Sequence, residues 1–158
     1  MVRDELAGAL AEAEDLAFLR GSGVGESPKG IRFWCPSSQV VNGTAATDAA
    51  IETDLVAMVA RFVAAMRGRQ SQPRWFMPSR SYYRLFNAKR ATTDLLIFPE
   101  IRNTPPQLIG FPVTITDQIP VNLAPSTSTE ILLADMSEVL IGDEMSLSIA
   151  FGCRRISR

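Results

Sequence analysis

The sequence contains no histidine and little cysteine, which narrows the chemistry open to the protein. Among its 158 residues are only two cysteines, Cys35 and Cys153, and they form no CxxC pair. Without histidine the commonest general base is missing, and neither a Ser-His nor a Cys-His pair can form. A zinc site lacks its usual ligand set for the same reason. We therefore expect no catalytic residue, no cofactor-binding residue and no metal ligand.

The chain also lacks a long apolar run and a basic start. No run of about 18 apolar residues occurs, so we expect no contact with a membrane. Asp4 and Glu5 stand where a signal peptide would be basic. We interpret both cysteines as buried, reduced thiols of a cytoplasmic protein, although their number alone leaves a disulfide open.

The composition is that of an ordinary folded domain, with 46% hydrophobic and 21% charged residues. A chain of this length predicts one domain, or one domain plus part of another. It can bury roughly 70% of its unfolded surface, so a conventional core needs no disulfide or metal.

Charge is unevenly distributed along the chain although the net charge is only −1. Residues 55–93 contain no acid, whereas residues 94–151 contain Arg102 as their only base. Opposite charges on two faces of one domain would suit contacts between copies. From charge alone, ordinary solvated surface explains the pattern as well.

Helical spacing is clearest in two segments. Residues 3–19 repeat apolar side chains every three or four residues and end at Gly21, which we expect in the left-handed conformation. The second helix starts after a Thr47 cap and ends near Arg67 and Gly68. Its apolar stripe consists of Ile51, Leu55, Met58, Val59, Phe62 and Met66.

Shorter elements follow, and the rest of the chain is rich in strand patterns. Trp75-Phe76-Met77 predicts a buried strand, and Ser79 is a candidate cap for a short third helix through Phe86. The remaining predictions are an apolar run at 95–98, strands at 111–116, 130–133 and 145–151, and a helical turn at 136–140. Helices and strands mix without a regular βαβ rhythm, so the predicted class is α+β.

The glycine loop at 21–25 resembles a phosphate cradle only superficially. Gly21, Gly23 and Gly25 form a GxGxG pattern, but the loop follows a helix instead of a strand and lacks a GK[ST] ending. The carboxylate pairs Glu14-Asp15 and Asp143-Glu144 are neighbours in sequence, so their side chains point in different directions. We therefore keep a small hydrolase or nucleotide-binding enzyme only as a minor alternative, and we expect no small-molecule substrate.

The basic segment 61–90 supports a different alternative, a nucleic-acid-binding module. Arginines there are interleaved with Trp75, Phe76, Tyr82, Tyr83 and Phe86, a mixture used for phosphate contacts and base stacking. The sequence pI of about 5.5 disfavours a dedicated nucleic-acid binder.

Four segments, taken in order, resemble the major capsid proteins of tailed double-stranded-DNA phages, which have the Hong Kong 97-like fold. The chain is similar to that family in residues 14–31, an acidic helix end that runs into a Gly-x-Gly loop and Gly30-Ile31. Residues 75–85, 108–113 and 132–143 resemble a strand with a short helix, the Leu-Ile-Gly-Phe-Pro-Val strand, and the segment leaving that domain. Ala134 departs from the pattern, because many members have glycine there.

The resemblance implies a Hong Kong 97-like fold fragment, with a mixed β-sheet flanked by helices. Residues 1–35 would be the end of the spine helix and the glycine loop, a remnant of the peripheral domain. Residues 36–140 would form the axial domain, and residues 141–158 a strand returning toward the peripheral domain. The family's N-terminal arm, extended hairpin, most of the spine helix and its final strands would be absent.

The resemblance also implies a structural role. The protein would be a subunit fragment of a phage or prophage icosahedral capsid, assembled in the bacterial cytoplasm and located in the virion. Its partners would be other copies, as hexamers and pentamers in the full-length form, and packaged DNA only indirectly. Loops 39–47 and 122–129 would approach a symmetry axis. Some members join subunits by a Lys–Asn bond, but that lysine lies on the missing hairpin, so no catalytic residue carries over. Without the arm and the hairpin, we expect a monomer or a weak small oligomer at micromolar concentration.

Overall fold

A four-stranded mixed sheet forms the centre of the protein and confirms the α+β class. The computed structural model describes residues 2–25, 27–69, 71–123 and 128–141. Within them the helices are α1 (Val2–Arg20), α2 (Ile31–Trp34), α3 (Asp48–Met66) and α4 (Ser79–Phe86), with 3₁₀ turns at Ser37–Gln39 and Pro99–Arg102. The strands are β1 (Pro73–Met77), β2 (Gln107–Leu108), β3 (Phe111–Ile115) and β4 (Leu132–Asp135), in the spatial order β2-β3-β1-β4.

The larger core covers one face of this sheet. β1 pairs parallel to β3 with Trp75 opposite Val113, and antiparallel to β4 with Trp75 opposite Leu133. Trp75 and Met77 are fully buried, and they cluster with Leu55 of α3. Leu85, Ala88, Phe98, Ile101, Leu108 and Val113 complete this cluster. The Trp75 indole N–H donates to the Leu108 carbonyl at 2.8 Å, so burial leaves no polar atom of that ring unpaired.

The opposite face of the sheet carries a smaller core that attaches α1. Leu19 at the end of α1 packs with Ile119 and Leu132, and the partly buried Phe76 and Ile31 lie against this cluster. Because neighbouring strand residues point to opposite faces, Phe76 faces away from the core that holds Trp75 and Met77. Strand β1 therefore contributes to both cores.

The predicted cap and stop of α3 are confirmed. Thr47 Oγ1 accepts a hydrogen bond from the Ala50 amide at 3.3 Å, and Arg67 ends the helix in the left-handed conformation at φ 49°. Gly68 follows with φ 77°, a conformation that glycine adopts without steric cost.

The cap of α4 differs from the prediction. Ser79 is the first residue of the helix, and its amide donates to Asp117 Oδ1 at 2.8 Å. Hydrogen bonds from the Ser79 amide and hydroxyl lower the pKa of Asp117. The Asp117 carboxylate, from a distant loop, thus caps the start of α4, where the Ser79 side chain was the expected cap.

The β2–β3 hairpin was not predicted as such. Its two-residue turn places Ile109 at φ 49° and Gly110 at φ 78°, the geometry of tight hairpins. A β-branched residue is strained in that conformation. The Ile109 amide is held by the Glu100 carboxylate.

The left-handed conformation predicted for Gly21 is wrong, and glycine is required in this loop for a steric reason instead. A Cβ on Gly21 would lie 2.1 Å from the Pro28 oxygen, and one on Gly30 would lie 2.6 Å from the Arg20 and Gly21 nitrogens. The Gly30 amide donates to the Gly21 carbonyl at 2.8 Å. Two backbone segments therefore cross so closely that only hydrogen fits between them.

Several boundaries in the second half also differ. The strand expected at 130–133 is Leu132–Asp135, and the helical turn expected at 136–140 is a non-helical turn. The apolar run 95–98 contributes one isolated bridge, between Lys89 and Leu96. In β3, Val113 is buried as predicted but Ile115 is 43% exposed. The strand expected at 145–151 lies outside the described residues.

Asp135 closes the far end of β4 with a buried carboxylate. Its Oδ1 accepts from the Gln72 amide at 2.9 Å, the Ser137 amide at 3.0 Å and the Ser137 hydroxyl at 2.7 Å. Burial by itself would raise the pKa of Asp135, but these hydrogen bonds and the charge of Arg69 outweigh it and lower the pKa.

Two substitutions of Asp135 distinguish the contribution of its hydrogen bonds to stability from the contribution of its negative charge. Asp135→Ala leaves buried donors unpaired and should lower the free energy of unfolding by about 2–4 kcal/mol. Asp135→Asn keeps an acceptor oxygen and should cost less. Because the folded-state pKa is depressed, the charge stabilises the fold above about pH 4, and this contribution is lost as the pH falls through the folded pKa. The stability gap between wild type and Asp135→Asn, measured by urea unfolding, should therefore shrink below about pH 4. A gap independent of pH would contradict this assignment.

The backbone crossing can be tested with a single methyl group. Gly30 has φ −70°, a conformation open to every residue, so Gly30→Ala probes space alone. We expect it to lower the free energy of unfolding by about 2–3 kcal/mol. Gly8 in exposed α1 has open space around it, and Gly8→Ala should be neutral or stabilising by up to about 1 kcal/mol. Equal effects of the two substitutions in chemical denaturation would refute the crossing.

Candidate functional site

The first helix presents an apolar surface that the described residues do not cover. Its predicted apolar stripe, which we call the α1 stripe, consists of Leu6, Leu10, Ala13 and Ala17. Leu6 is 44% exposed and Leu10 49% exposed, and only the last turn of α1 packs against the sheet. Residues 5–16 of this helix are exposed on all sides, and its leucines supply apolar surface of the kind that contacts another protein segment.

Aromatic side chains are exposed just beyond the glycine loop. Trp34 is 69% exposed and Phe33 46% exposed, both in α2. The Lys29 ammonium lies 4.1 Å from the centre of the Trp34 ring, and the Trp34 indole N–H donates to the Lys29 carbonyl. The indole is thus held in place, with its apolar surface facing outward.

Charged side chains fix the direction in which α1 leaves the sheet. Arg32 Nε donates to Glu130 Oε2 at 3.0 Å, and Arg20 Nε lies 2.7 Å from Glu130 Oε1 at an angle outside hydrogen-bond geometry. The Glu130 side chain is only 17% exposed, so these attractions are less screened than at an open surface. The sequence analysis missed this cluster, because its members lie about a hundred residues apart and no local pattern marks them.

Both loops expected to approach a symmetry axis line one groove. Residues 39–43, together with Leu123, Ser128 and Thr129, border an open, mostly apolar depression of about 1570 Å³ beside β4. Residues 124–127 lie outside the described ranges. The Thr44 hydroxyl and amide both donate to Asp54 at 2.6 and 2.9 Å, which ties the first loop to α3 and lowers the pKa of Asp54.

The basic segment 61–90 is largely engaged within the protein. Arg84 pairs with Asp48 and Arg90 with Glu52, each at 2.8 Å. Further contacts include Lys89 with Asp94, Arg69 with Glu138, Arg61 with the Val40 carbonyl, Arg74 with Thr114 and Arg80 with the Val121 carbonyl. Trp75 is fully buried in the core, so it cannot stack on a base. At these positions the basic side chains of the segment therefore lie next to acidic ones, although the two kinds are separated along the sequence.

The structure also describes some of the cysteines and paired carboxylates singled out in the sequence. Cys35 is exposed and not buried as expected, since it lies in a stretch, residues 33–38, that is exposed throughout; Cys153 lies outside the described residues. Glu14 and Asp15 are exposed on α1, and the second carboxylate pair, Asp143-Glu144, is not described. Across residues 2–25, 27–69, 71–123 and 128–141, no group of three or more acidic, Cys or His side chains could hold a metal ion. In the same ranges, no helix has the length and apolar character needed to cross a membrane.

Comparison with known proteins relates the chain to phage capsid proteins. The chain is similar to the major capsid protein of Klebsiella oxytoca phage phiKO2, with 28% identity over 156 residues that cover 96% of this chain and 36% of the relative. It is also 29% identical over 156 residues to the capsid polyprotein of Pseudomonas phage PAJU2, covering 95% of this chain and 22% of that protein. No solved structure matches the chain. The chain thus spans little more than a third of the length of the first curated relative and less than a quarter of the second.

The family model described as the phage capsid family matches residues 1–156, almost the whole sequence. This chain therefore belongs to the phage capsid family.

Proposed function

We propose that the chain is a segment of the structural subunit of a phage or prophage icosahedral shell, and that it acts by contact with copies of its own kind. The family match over residues 1–156 is the observation that carries this proposal. The uncovered α1 stripe and the exposed aromatic residues of α2 supply contact surface. The shell would enclose DNA, and the segment would lie in the virion capsid after assembly in the bacterial cytoplasm.

The finer architecture is part of the same proposal. A Hong Kong 97-like arrangement makes residues 1–35 a peripheral-domain remnant, residues 36–140 the axial domain and residues 141–158 a returning strand. The contacts of Arg20 and Arg32 with Glu130 support a fixed joint between the first two parts. In full-length form the partners would be neighbouring copies in hexamers and pentamers, with packaged DNA contacted only indirectly.

A structural role without catalysis fits the chemistry of the sequence. The sequence has no histidine, and hydrogen bonds lower the pKa values of Asp54, Asp117 and Asp135, so these carboxylates are charged near neutral pH. The relatives are named as capsid proteins. We therefore propose that the chain is not an enzyme and uses no small-molecule substrate.

Self-association through the α1 stripe is the direct test. At about 10 μM the wild-type chain should be a monomer or a small oligomer, and its mean sedimentation coefficient should rise with concentration. Leu6→Glu with Leu10→Glu removes two apolar contacts and should weaken association at least about tenfold, because each buried leucine contributes about 1.5–3 kcal/mol.

The matched control adds the same charges one position further around the helix. Ala7→Glu with Ala11→Glu has the same spacing but lies about 100° from the stripe, so association should persist. Equal loss in both double variants, or no concentration dependence in wild type up to the solubility limit, would contradict the proposal. Complete shells formed by this chain alone would overturn the expected weak association.

The nucleic-acid alternative makes a separate prediction. Binding to duplex DNA that falls steeply with salt and disappears in Arg67→Ala with Arg69→Ala would favour it. Several Arg and Lys side chains of the segment 61–90 already form ion pairs within the protein. We therefore expect only weak, sequence-independent DNA binding that these substitutions change little.

A further inference from the structure

The outward face of α3 is apolar and uncovered. Besides the stripe that packs on the sheet, this helix has a row of exposed side chains on its other side, which we call the α3 seam: Ala49, Thr53, Val56, Ala60 and Val63. Val56 is 52% exposed and Val63 55% exposed. From residue 55 to residue 66 the helix has one charged side chain, that of Arg61. A helix that is apolar on both faces is typical of a helix that is covered on both faces.

The seam has the spacing of helices that pack side by side. Its members follow one another at intervals of four, three, four and three residues, which averages the repeat of about 3.5 residues used by coiled coils. The Thr53 hydroxyl donates to the Ala49 carbonyl at 3.0 Å, so the polar group of the seam already has its partner within the helix. A second helix can therefore cover the seam without leaving a side-chain donor unpaired.

A second copy of α3 fits this seam in the antiparallel orientation. When Val56 of one copy lies opposite Ala60 of the other, the same register sets Thr53 opposite Val63. A larger aliphatic side chain then faces a smaller one at the centre of the pair, which lets the two helices approach closely. Each contact occurs twice, so the surface is complementary to itself, as a two-fold interface requires. Apart from Glu52, the positions that flank the seam are uncharged: Ala50, Ala57, Val59, Ala64 and Met66.

Charge favours the antiparallel orientation over the parallel one. The acids of α3 are confined to its first two turns, at Asp48, Glu52 and Asp54, and Arg67 stands at the opposite end. Parallel helices would bring the two copies of Arg67 together and the two copies of Glu52 together, and like charges across an interface oppose association. Antiparallel helices place Arg67 of one copy at the acidic first turns of the other. Two of these acids already pair with arginines of their own chain, so the avoidance of like charges decides the orientation.

We propose that two copies of the chain pair through their α3 seams, antiparallel and about a two-fold axis, with Val56 of each copy packed against Ala60 of the other. The choice of a second copy as the occupant rests on the proposed function, which is contact between copies of this chain. The seam lies on a different helix from the α1 stripe, so either surface can fail as a contact without the other.

The pair is expected to be weak. A helix of 19 residues is about 28 Å long, and one pair of such helices covers less area than the roughly 1,200 Å² of a stable interface. We therefore expect pairing of the isolated chain only at about 100 μM protein or more. In a larger assembly the high local concentration of neighbours would strengthen it.

Single cysteines on the seam test the register. In chains with Cys35→Ser and Cys153→Ser, the variants Val56→Cys and Ala60→Cys are prepared separately, one of them labelled with nitrogen-15. They are then mixed at about 100 μM with copper phenanthroline as oxidant. Disulfides between the two variants should exceed disulfides between like variants at least about threefold by intact mass, because only the mixed pair sets two thiols directly opposite each other. Mixed links no more frequent than like links, or no links at all, would overturn the proposal.

Ala60→Cys mixed with Val63→Cys is the mismatched control. In the antiparallel register these two positions are offset by seven residues, about 10 Å along the pair, whereas in a parallel pair they are neighbours. Few mixed links are therefore expected. Mixed links as frequent as those between Val56→Cys and Ala60→Cys would refute the antiparallel register.

Charged substitutions separate the seam from the α1 stripe when they are made in the double variant of that stripe described above. Val56→Glu with Val63→Glu should weaken the remaining association at least about tenfold in sedimentation equilibrium, because charges would enter an apolar contact. The matched control is Val24→Glu with Leu95→Glu, which adds the same charges at apolar side chains that are 76% and 64% exposed away from α3. It should change the association less than about twofold, and equal losses would count against the seam.

The two surfaces give different patterns of failure. Association that depends on the α1 stripe, without any disulfide between seam cysteines, would reject the α3 pair and leave the proposed function in place. Disulfides that form with the expected register in the α1 double variant would support the seam as a contact of its own.

Discussion

The pairing of β1 between β3 and β4 is the interaction on which the other parts of the protein depend. Trp75 and Met77 on one side of this strand bury against α3, α4 and the segment around Ile101, whereas Phe76 on the other side lies against the cluster that anchors α1. A register shift of one residue in β1 would exchange these two sets of side chains. The Trp75 indole bond to Leu108 also fixes the β2 end of the sheet.

Local patterns predicted the elements whose determinants are neighbours in sequence. The cap of α3 at Thr47 and its end near Arg67 and Gly68 are confirmed, as are β1 and β3. The cap of α4 was wrong because its acceptor, Asp117, lies 38 residues away. The left-handed conformation predicted for Gly21 was wrong. Glycine is needed there because the Pro28 carbonyl oxygen leaves no room for a Cβ atom, which only the tertiary structure reveals. The end of β4 depends on the bonds of Asp135 to Gln72 and Ser137, also invisible to periodicity.

The candidate contact surface was predictable to a similar extent. The spacing of the α1 stripe is visible in the sequence, whereas its exposure is known only from the structure. Charge was less informative, because bases of the basic stretch pair with acids elsewhere in the chain: Arg69 and Lys89 pair with Glu138 and Asp94 of the acidic stretch, and Arg84 and Arg90 pair with Asp48 and Glu52 of α3. The exposed Cys35 contradicts the buried thiol, since composition says nothing about which way a turn faces. The joint at Glu130 required three distant residues to meet.

The central claim is that this segment builds shells through surfaces left open in the isolated chain. The most direct measurement is electron cryo-microscopy of a capsid protein in which this chain replaces the matching segment of the phiKO2 relative, with the unmodified relative as control. The account predicts closed shells in which other parts of the subunit or its neighbours cover the α1 stripe. A folded, soluble chimera that forms no shells, or shells in which Leu6 and Leu10 remain in solvent, would contradict it.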